Sequence, residues 1–506
     1  MSAATDDCVH RTRRAGECGQ RCFGVRPALL PWYRRRFTMS PAASLLVAAL
    51  AFHADAGEYS NAVYNVLCLA QQVSCTREKY DQLWKDELRW SAEDETQLDR
   101  WRSIVRAGES REPAPPVAPL LANHPSFYPA LRKRTEILAA ALDAKSISAF
   151  QARAARLLPR DDALALARAL RHFQTRLAPW WRRVGRSRVS GLRAIDREFP
   201  AAVRTLFGQV ASFVGADALT DAYVHVVPSP DIENDDANAT LVGNHFVMEL
   251  VPTGAGKAAA SEATKMVAGV AIHELTHALY DAAPAAIHLA LMRQFVASPD
   301  PGSASMYTLL NEAIATAVTG IALELARGNQ PDEGGEYRHP YVPRLGRAAT
   351  EPIRRALAAG RTITDGFVAE YVRAARATLG DDADSLGFRF SAVAVIASDA
   401  LRAAAASFRE IIAPMGATDS RANWQRIEEL NAAFLLTYDD VREYADRIRD
   451  LPTLMTHRAF AVVLPHNKKS HVLVLAGRDA AAVAELIKRL QPSKPLAQDA
   501  AALVVD

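Results

Sequence analysis

The stretch from about Glu262 to Asp281 is apolar at Val267, Val270, Ile272, Leu275 and Leu279, yet its centre reads His273-Glu274-Leu275-Thr276-His277. On an α-helix, positions four apart stand one above the other on the same face. The two imidazoles therefore share a face, with Glu274 beside them. Burying three such groups in an apolar helix is costly unless a metal ion or hydrogen-bond partners compensate. A fold that contains this helix must bring further polar groups to it from elsewhere in the chain. Two imidazoles at this spacing can chelate one ion, and the adjacent carboxylate can take a proton from water. A tetrahedral site that keeps one position for water needs a third protein ligand.

Leu310-Asn311-Glu312-Ala313-Ile314-Ala315 supplies a candidate, with Glu312 lying 35 positions after His277. Thr308, Ala315, Thr316 and Thr319 share the side of the helical wheel that carries Glu312, so a second helix can approach closely there. Glu324, over three turns further along, is the runner-up.

His273-Glu-Leu-Thr-His-Ala-Leu-Tyr-Asp281 resembles the zinc-binding helix of the thermolysin family, including the Asp four positions after the second His. Asn311-Glu312-Ala313-Ile314 resembles the helix that carries that family's third ligand. The wider group is the gluzincins, which join HExxH to a downstream Glu. Asn238-Ala239 with Gly243-Asn244-His245 is similar to the edge strand with which many zincins hold substrate backbone. The resemblance covers these two helices and, more loosely, that strand. It implies one Zn²⁺ per chain held by His273, His277 and Glu312, with Glu274 as general base in peptide-bond hydrolysis.

Departures from the family pattern are specific. Tyr280 and Ala283 stand where a metzincin would have Gly and His, which closes that route. The spacing from His277 to Glu312 is longer than in thermolysin-like enzymes, placing an insertion at about 283–305. Thr316 stands where the family has an Asp that orients the first zinc histidine. No match to the family's downstream oxyanion histidine is recognisable. His339, Tyr337 and Tyr341 after the third-ligand helix, with Tyr307 and His245, are the candidates for that role, and Asp281 is a candidate to orient a histidine or to end its helix.

The remainder of the chain bounds the setting. At 506 residues it is too long for one core, and its wealth of Ala, Leu and Arg favours helix. The expected fold is mainly α, with a small α+β zincin-like core (a short mixed or antiparallel sheet plus the active-site helices) and a small α/β C-terminal appendage. The sequence divides into a leader at 1–56, helices at 57–111, a Pro-rich linker at 112–119 and a helical domain at 120–215. The core follows at 216–330, a helical subdomain at 331–452 and the appendage at 453–506. Strands are expected at 223–228, 240–251, 459–464 and 471–475, and Ala/Arg-rich helices through 350–450. Ser91 followed by Asp94 suggests a helix cap.

A net charge of only +3, with much of the basic excess before residue 40, argues against a nucleic-acid face. No apolar run is long enough to span a bilayer permanently. Arg34 to Arg36, the apolar Leu45 to Phe52 and Ala54-Asp55-Ala56 occur in the order of an export leader with cleavage near Ala56, implying a periplasmic or secreted protein. Cys68 and Cys75 can form a disulfide if the helix breaks between them; two buried thiols are the alternative. The expected function is a zinc metallopeptidase acting on a peptide or protein substrate. A zinc hydrolase of a non-peptide substrate, and an exported helical binding or scaffold protein with a structural metal, are the other readings.

Overall fold

Helix α1 (Glu58–Leu69) is apolar enough to bury nearly every residue, and it stops where the chain can turn back. Gln71 adopts a left-handed conformation, and the N–H groups of Gln71 and Gln72 bond to the carbonyls of Cys68 and Leu67. This pattern ends a helix by satisfying its last carbonyls. The break brings Cys68 and Cys75 to a Cα separation of 5.8 Å, and they form a disulfide. The computed structural model describes residues 51–73, 75–107, 129–185, 201–216, 221–230, 238–250, 257–326, 339–412, 414, 416–418, 431–466, 470–494 and 503–506. Residues 1–50 of the expected leader, the expected linker at 112–119 and Tyr337 lie outside them.

Among the described residues the protein is mainly helical, with two mixed sheets. The N-terminal helices continue with α2 (Arg77–Gln82), α3 (Ala92–Ala107), α4 (Pro129–Asp143), α5 (Ile147–Ala154) and α6 (Arg160–Trp180). Ser91 and Asp94 form the expected cap: Ser91 N donates to Asp94 Oδ2 at 2.6 Å, and Asp94 N donates to Ser91 Oγ at 3.3 Å. Asp94 is fully buried and also accepts from His172 and Arg176, which fastens α3 to α6.

The first sheet has the order β1-β2-β4-β3, from β1 (Ala51–Asp55), β2 (Asp221–Pro228), β3 (Asn238–Val242) and β4 (His245–Leu250). Only β3 runs antiparallel to its neighbour. The single strand expected over 240–251 is a hairpin, because Gly243, with φ of +61°, and Asn244 turn the chain. Residues 51–55 form an edge strand in parallel register with β2, and Ala56 is buried. Asp55 Oδ2 stands 3.6 Å from Nδ1 of the buried His225. The boundary at Ala56, expected as the end of a leader, is therefore a strand-to-helix junction, and a cut there would remove β1.

Helix α8 (Lys257–Ala282) packs against β3 and β4 of this sheet, and α7 (Ala201–Val214) packs against α8. Then come α9 (Ala285–Ala297), α10 (Ser303–Thr308), α11 (Leu310–Ala326), α12 (Val342–Ala358) and α13 (Phe367–Leu379). One hydrophobic core runs from α1 through α13.

The second sheet has six strands in the order β10-β8-β9-β7-β5-β6. They are β5 (Ala392–Ala397), β6 (Gly416–Thr418), β7 (Asn431–Thr437), β8 (Ala459–Pro465), β9 (His471–Gly477) and β10 (Leu503–Val505). Helices α14 (Arg402–Ile412) and α15 (Ala480–Arg489) join the core on one face, and short turns between 438 and 455 cover the other. The C-terminal α/β part thus begins before residue 392 instead of at 453. Ala392-Val-Ala-Val-Ile-Ala397 and Asn431-Ala-Ala-Phe-Leu-Leu-Thr437 are parallel strands covered on both faces. Such strands show no period of two, so Ala-rich examples read as helix.

Helices α11 and α12 meet at Thr316 and Gly346: a Cβ built on Gly346 would lie 2.5 Å from Thr316 Cγ2 and 2.7 Å from its Cβ. A β-branched side chain cannot swing out of the way. Gly346→Ala should therefore lower the unfolding free energy by about 1–3 kcal/mol in denaturant titration. Adding Thr316→Ala should recover only the part due to Cγ2, because the Cβ at 2.7 Å remains, and a neutral Gly346→Ala would refute this contact.

Candidate metal centre

His273 and His277 lie on the C-terminal half of α8, and their Nε2 atoms stand 3.1 Å apart. Helix α11 packs against α8 and delivers Glu312 from its first turn. Glu312 Oε2 is 3.3 Å from His273 Nε2, and Oε1 is 3.6 Å from His277 Nε2. Donors held about 2.0–2.1 Å from a tetrahedral centre stand about 3.3 Å from one another. The three residues thus converge at the spacing of a common ligand shell. His273, Glu274 and His277 by themselves offer ligand atoms within 4.8 Å of one another, and this triad can hold a metal ion. The side chains of His273, His277 and Glu312 are 15%, 12% and 22% exposed, so the point they face is largely screened from water.

The donor chemistry fits a cation. His277 Nδ1 is 2.9 Å from Asn311 Oδ1, an oxygen that can only accept, so Nδ1 carries the proton and Nε2 presents its lone pair. That lone pair and a carboxylate then face the same point. Asn311 is itself placed by Asp281, to which its Nδ2 donates at 3.5 Å. Burial pushes the Asp281 carboxyl up to about 6, with His277 pulling the other way. Asp281 therefore acts on His277 through Asn311. The role of Asn311 is not assigned from sequence, because one residue before a ligand gives no hint of which histidine its side chain reaches.

Glu274 follows His273 directly and belongs to the same cluster. Burial raises its carboxyl above the ordinary range; His277 opposes the shift, while Glu312 and Asp281 reinforce it. Glu324 is engaged elsewhere, in an ion pair with Arg354 of α12. That pair and the Thr316–Gly346 contact share one offset, so α11 and α12 run in parallel and Glu312 lies level with the start of α12.

The remaining candidates separate by place. His339 is buried just ahead of α12, and its Nδ1 accepts from the N–H groups of Tyr341 and Val342. By the helix register it sits toward the Glu312 end. Tyr341 points away, its hydroxyl 3.2 Å from Ser385 Oγ beside the C-terminal part. Tyr307 is buried against Phe295, and burial raises its hydroxyl. His245 is held in the sheet, its Nδ1 3.0 Å from His225 Nε2 and its ring stacked on Tyr223. Burial first, and then His225, lower His245 to about 3.

No known protein family, no curated protein and no solved structure matches this chain.

The geometry orders the effects of substitution on metal affinity, read by chelator competition. Glu312→Ala should weaken binding most. Asn311→Leu should weaken it by about 10–100-fold, as for other partners that orient a ligating histidine. Glu324→Ala should leave it unchanged. Equal losses from Glu312→Ala and Glu324→Ala would overturn the assignment.

Proposed function

We propose that the protein is a zinc-dependent metallopeptidase. The observation that carries this reading is the convergence of His273, His277 and Glu312 within 3.1–3.6 Å, with Glu274 adjacent. Two imidazoles and one carboxylate are the donor set of catalytic zinc sites that keep a position open. The likeness of these two helices to those of the gluzincins supports the same ion.

When bound, zinc supplies a Lewis acid that acidifies water and polarises a carbonyl. The protein's own residues do the rest. Glu274 takes a proton from the attacking water and returns it to the leaving amine. Asn311, backed by Asp281, keeps the His277 ring turned with Nε2 inward. Strand β3 ends the sheet order beside β4, and α8 packs against both. Its outer edge suits an extended peptide, which would add as a further strand. His339 is the residue we favour to face the developing oxyanion, on the register that brings it toward Glu312.

Purified protein should carry about one zinc per chain and lose activity on chelation. Glu274→Gln should retain the zinc yet lose about three or more orders of magnitude in peptide hydrolysis, because the water keeps its proton. A fully active Glu274→Gln protein would falsify the mechanism even with zinc in place.

We also propose export, from the order of Arg34 to Arg36, Leu45 to Phe52 and the small residues that follow, and from the disulfide. Cleavage at those small residues would leave a chain that begins at Gly57 and lacks β1, so β1 would pair with β2 only before processing. Intact-mass measurement of protein from the periplasm or medium checks this: a start at Gly57 would show that the mature sheet dispenses with β1, and a start upstream of Ala51 would refute cleavage at this site.

A further inference from the structure

Glu249 closes β4 with a side chain only 1% exposed. Its partners among the described residues are neutral. Oε1 accepts from Ser229 Oγ at 2.8 Å and from Thr76 Oγ1; Oε2 accepts from Thr76 N at 3.3 Å and Tyr64 OH at 3.4 Å. Tyr64 and Tyr80, both buried, wall the group edge to face. Two of the four donors thus come from one residue, Thr76, and that residue follows Cys75 directly. Thr76 occupies the N-cap position of α2, yet its hydroxyl makes no cap bond; it is committed to Glu249 instead.

The turn that presents Thr76 is held from two sides. On the α1 side, Trp101 Nε1 donates to Gln72 Oε1 at 2.7 Å, and Arg134 Nη2 donates to Gln72 O at 3.0 Å. Those anchors end at Gln72. Cys75 itself is tied to α1 by its bond to Cys68, while the residues after Thr76 are held there by Tyr80 against Tyr64 and by Trp84 Nε1, which donates to Asn65 Oδ1 at 3.0 Å.

We propose that the Cys68–Cys75 disulfide is a redox latch on the buried carboxylate of Glu249: closed, it holds Thr76 as a two-point donor, and opened, it releases Thr76 and loosens the end of β4. Opening needs a dithiol as reductant. Two electrons and two protons pass to the two sulfurs, giving two thiols, and the dithiol closes to its own disulfide. A buried carboxylate that loses half of its donors must either recruit water or leave its site. Either movement acts on β4, which packs against the metal-binding helix α8. The latch therefore ties the firmness of the sheet under the candidate metal centre to an oxidising compartment.

The test is amide exchange of β4 in the full chain, a readout that does not depend on peptidase activity or on which metal is bound. The Cys68→Ser/Cys75→Ser variant is used without reductant, so that no added thiol competes for the metal. Exchange over residues 245–250 should quicken by about tenfold or more while strands β7 and β9 keep their protection. Glu249→Gln should quicken the same amides in the disulfide-bonded protein and add little in the Cys-less background. If Glu249→Gln has the same effect in both backgrounds, the disulfide does not act through this carboxylate and the proposal falls. Should the Cys-less chain fail to fold, Thr76→Val with the disulfide intact must reproduce the faster exchange of β4. Wild-type protection in Thr76→Val would equally overturn it.

Discussion

The metal centre proposed for this protein depends on how α11 lies against α8. The crossing brings a carboxylate from the first turn of one helix to two imidazoles on the other, with 3.3 and 3.6 Å between the groups. Neither helix can make the site alone. Its precision is set from behind, where Gly346 lets α12 close on α11 at Thr316, so that α11 is held between two neighbours. Small residues on both sides of α11 permit that approach, and packed interiors relax little when one contact shifts. A displacement of α11 by a fraction of an ångström would alter the shared ligand spacing, which is why a glycine remote from the ligands matters to them.

A second theme is the use of polar groups, buried at Asp94, Glu249 and His225, to pin element ends. Asp94 fastens α3 to α6, Glu249 fastens the α1–α2 turn to β4, and Asp55 faces His225 across β1 and β2. At Asp55, burial works against the charge, but hydrogen bonds from His225 and Ser60 outweigh it and hold the carboxyl below its ordinary range. Such groups add little net stability, since desolvation offsets much of their attraction. They do penalise any register in which a donor is missing. In a chain so rich in Ala and Leu, many packings bury similar apolar area, and the polar pins select among them.

What the sequence makes legible follows from which signals are local. The HExxH helix, the Ser91–Asp94 cap and the break between Cys68 and Cys75 are written in adjacent residues and can be read directly. Glu312 is legible because its helix carries small residues around one carboxylate. Three features are not legible, each for its own reason. Strands β5 and β7 are buried on both faces, so nothing alternates to mark them. The Gly243-Asn244 turn splits one apolar run into a hairpin whose partner is its own second half. Ala51–Asp55 looks like the end of a leader, because its pairing with residues 221–225 has no local signature. Asn311 belongs to the same class: its type is visible, but its partner lies on another helix.

The C-terminal part touches the rest of the protein at places that bear on α12. Tyr341 reaches Ser385, and Ser305 of α10 donates to the carbonyl of Arg389 at 3.3 Å. Arg389 is itself buried, 3.4 Å from His471 at the start of β9, and its carbonyl also accepts from Asn431 at the start of β7. Tyr341 lies two residues after His339 and one before α12, the end of that helix level with Glu312. The six-stranded sheet therefore braces the segment that presents His339, through a hydroxyl pair and a buried arginine junction. On this arrangement the α/β part is a rear support for the candidate centre: it holds the start of α12 while α11 holds Glu312, and the two helices, being parallel, carry both constraints to the same end of the site.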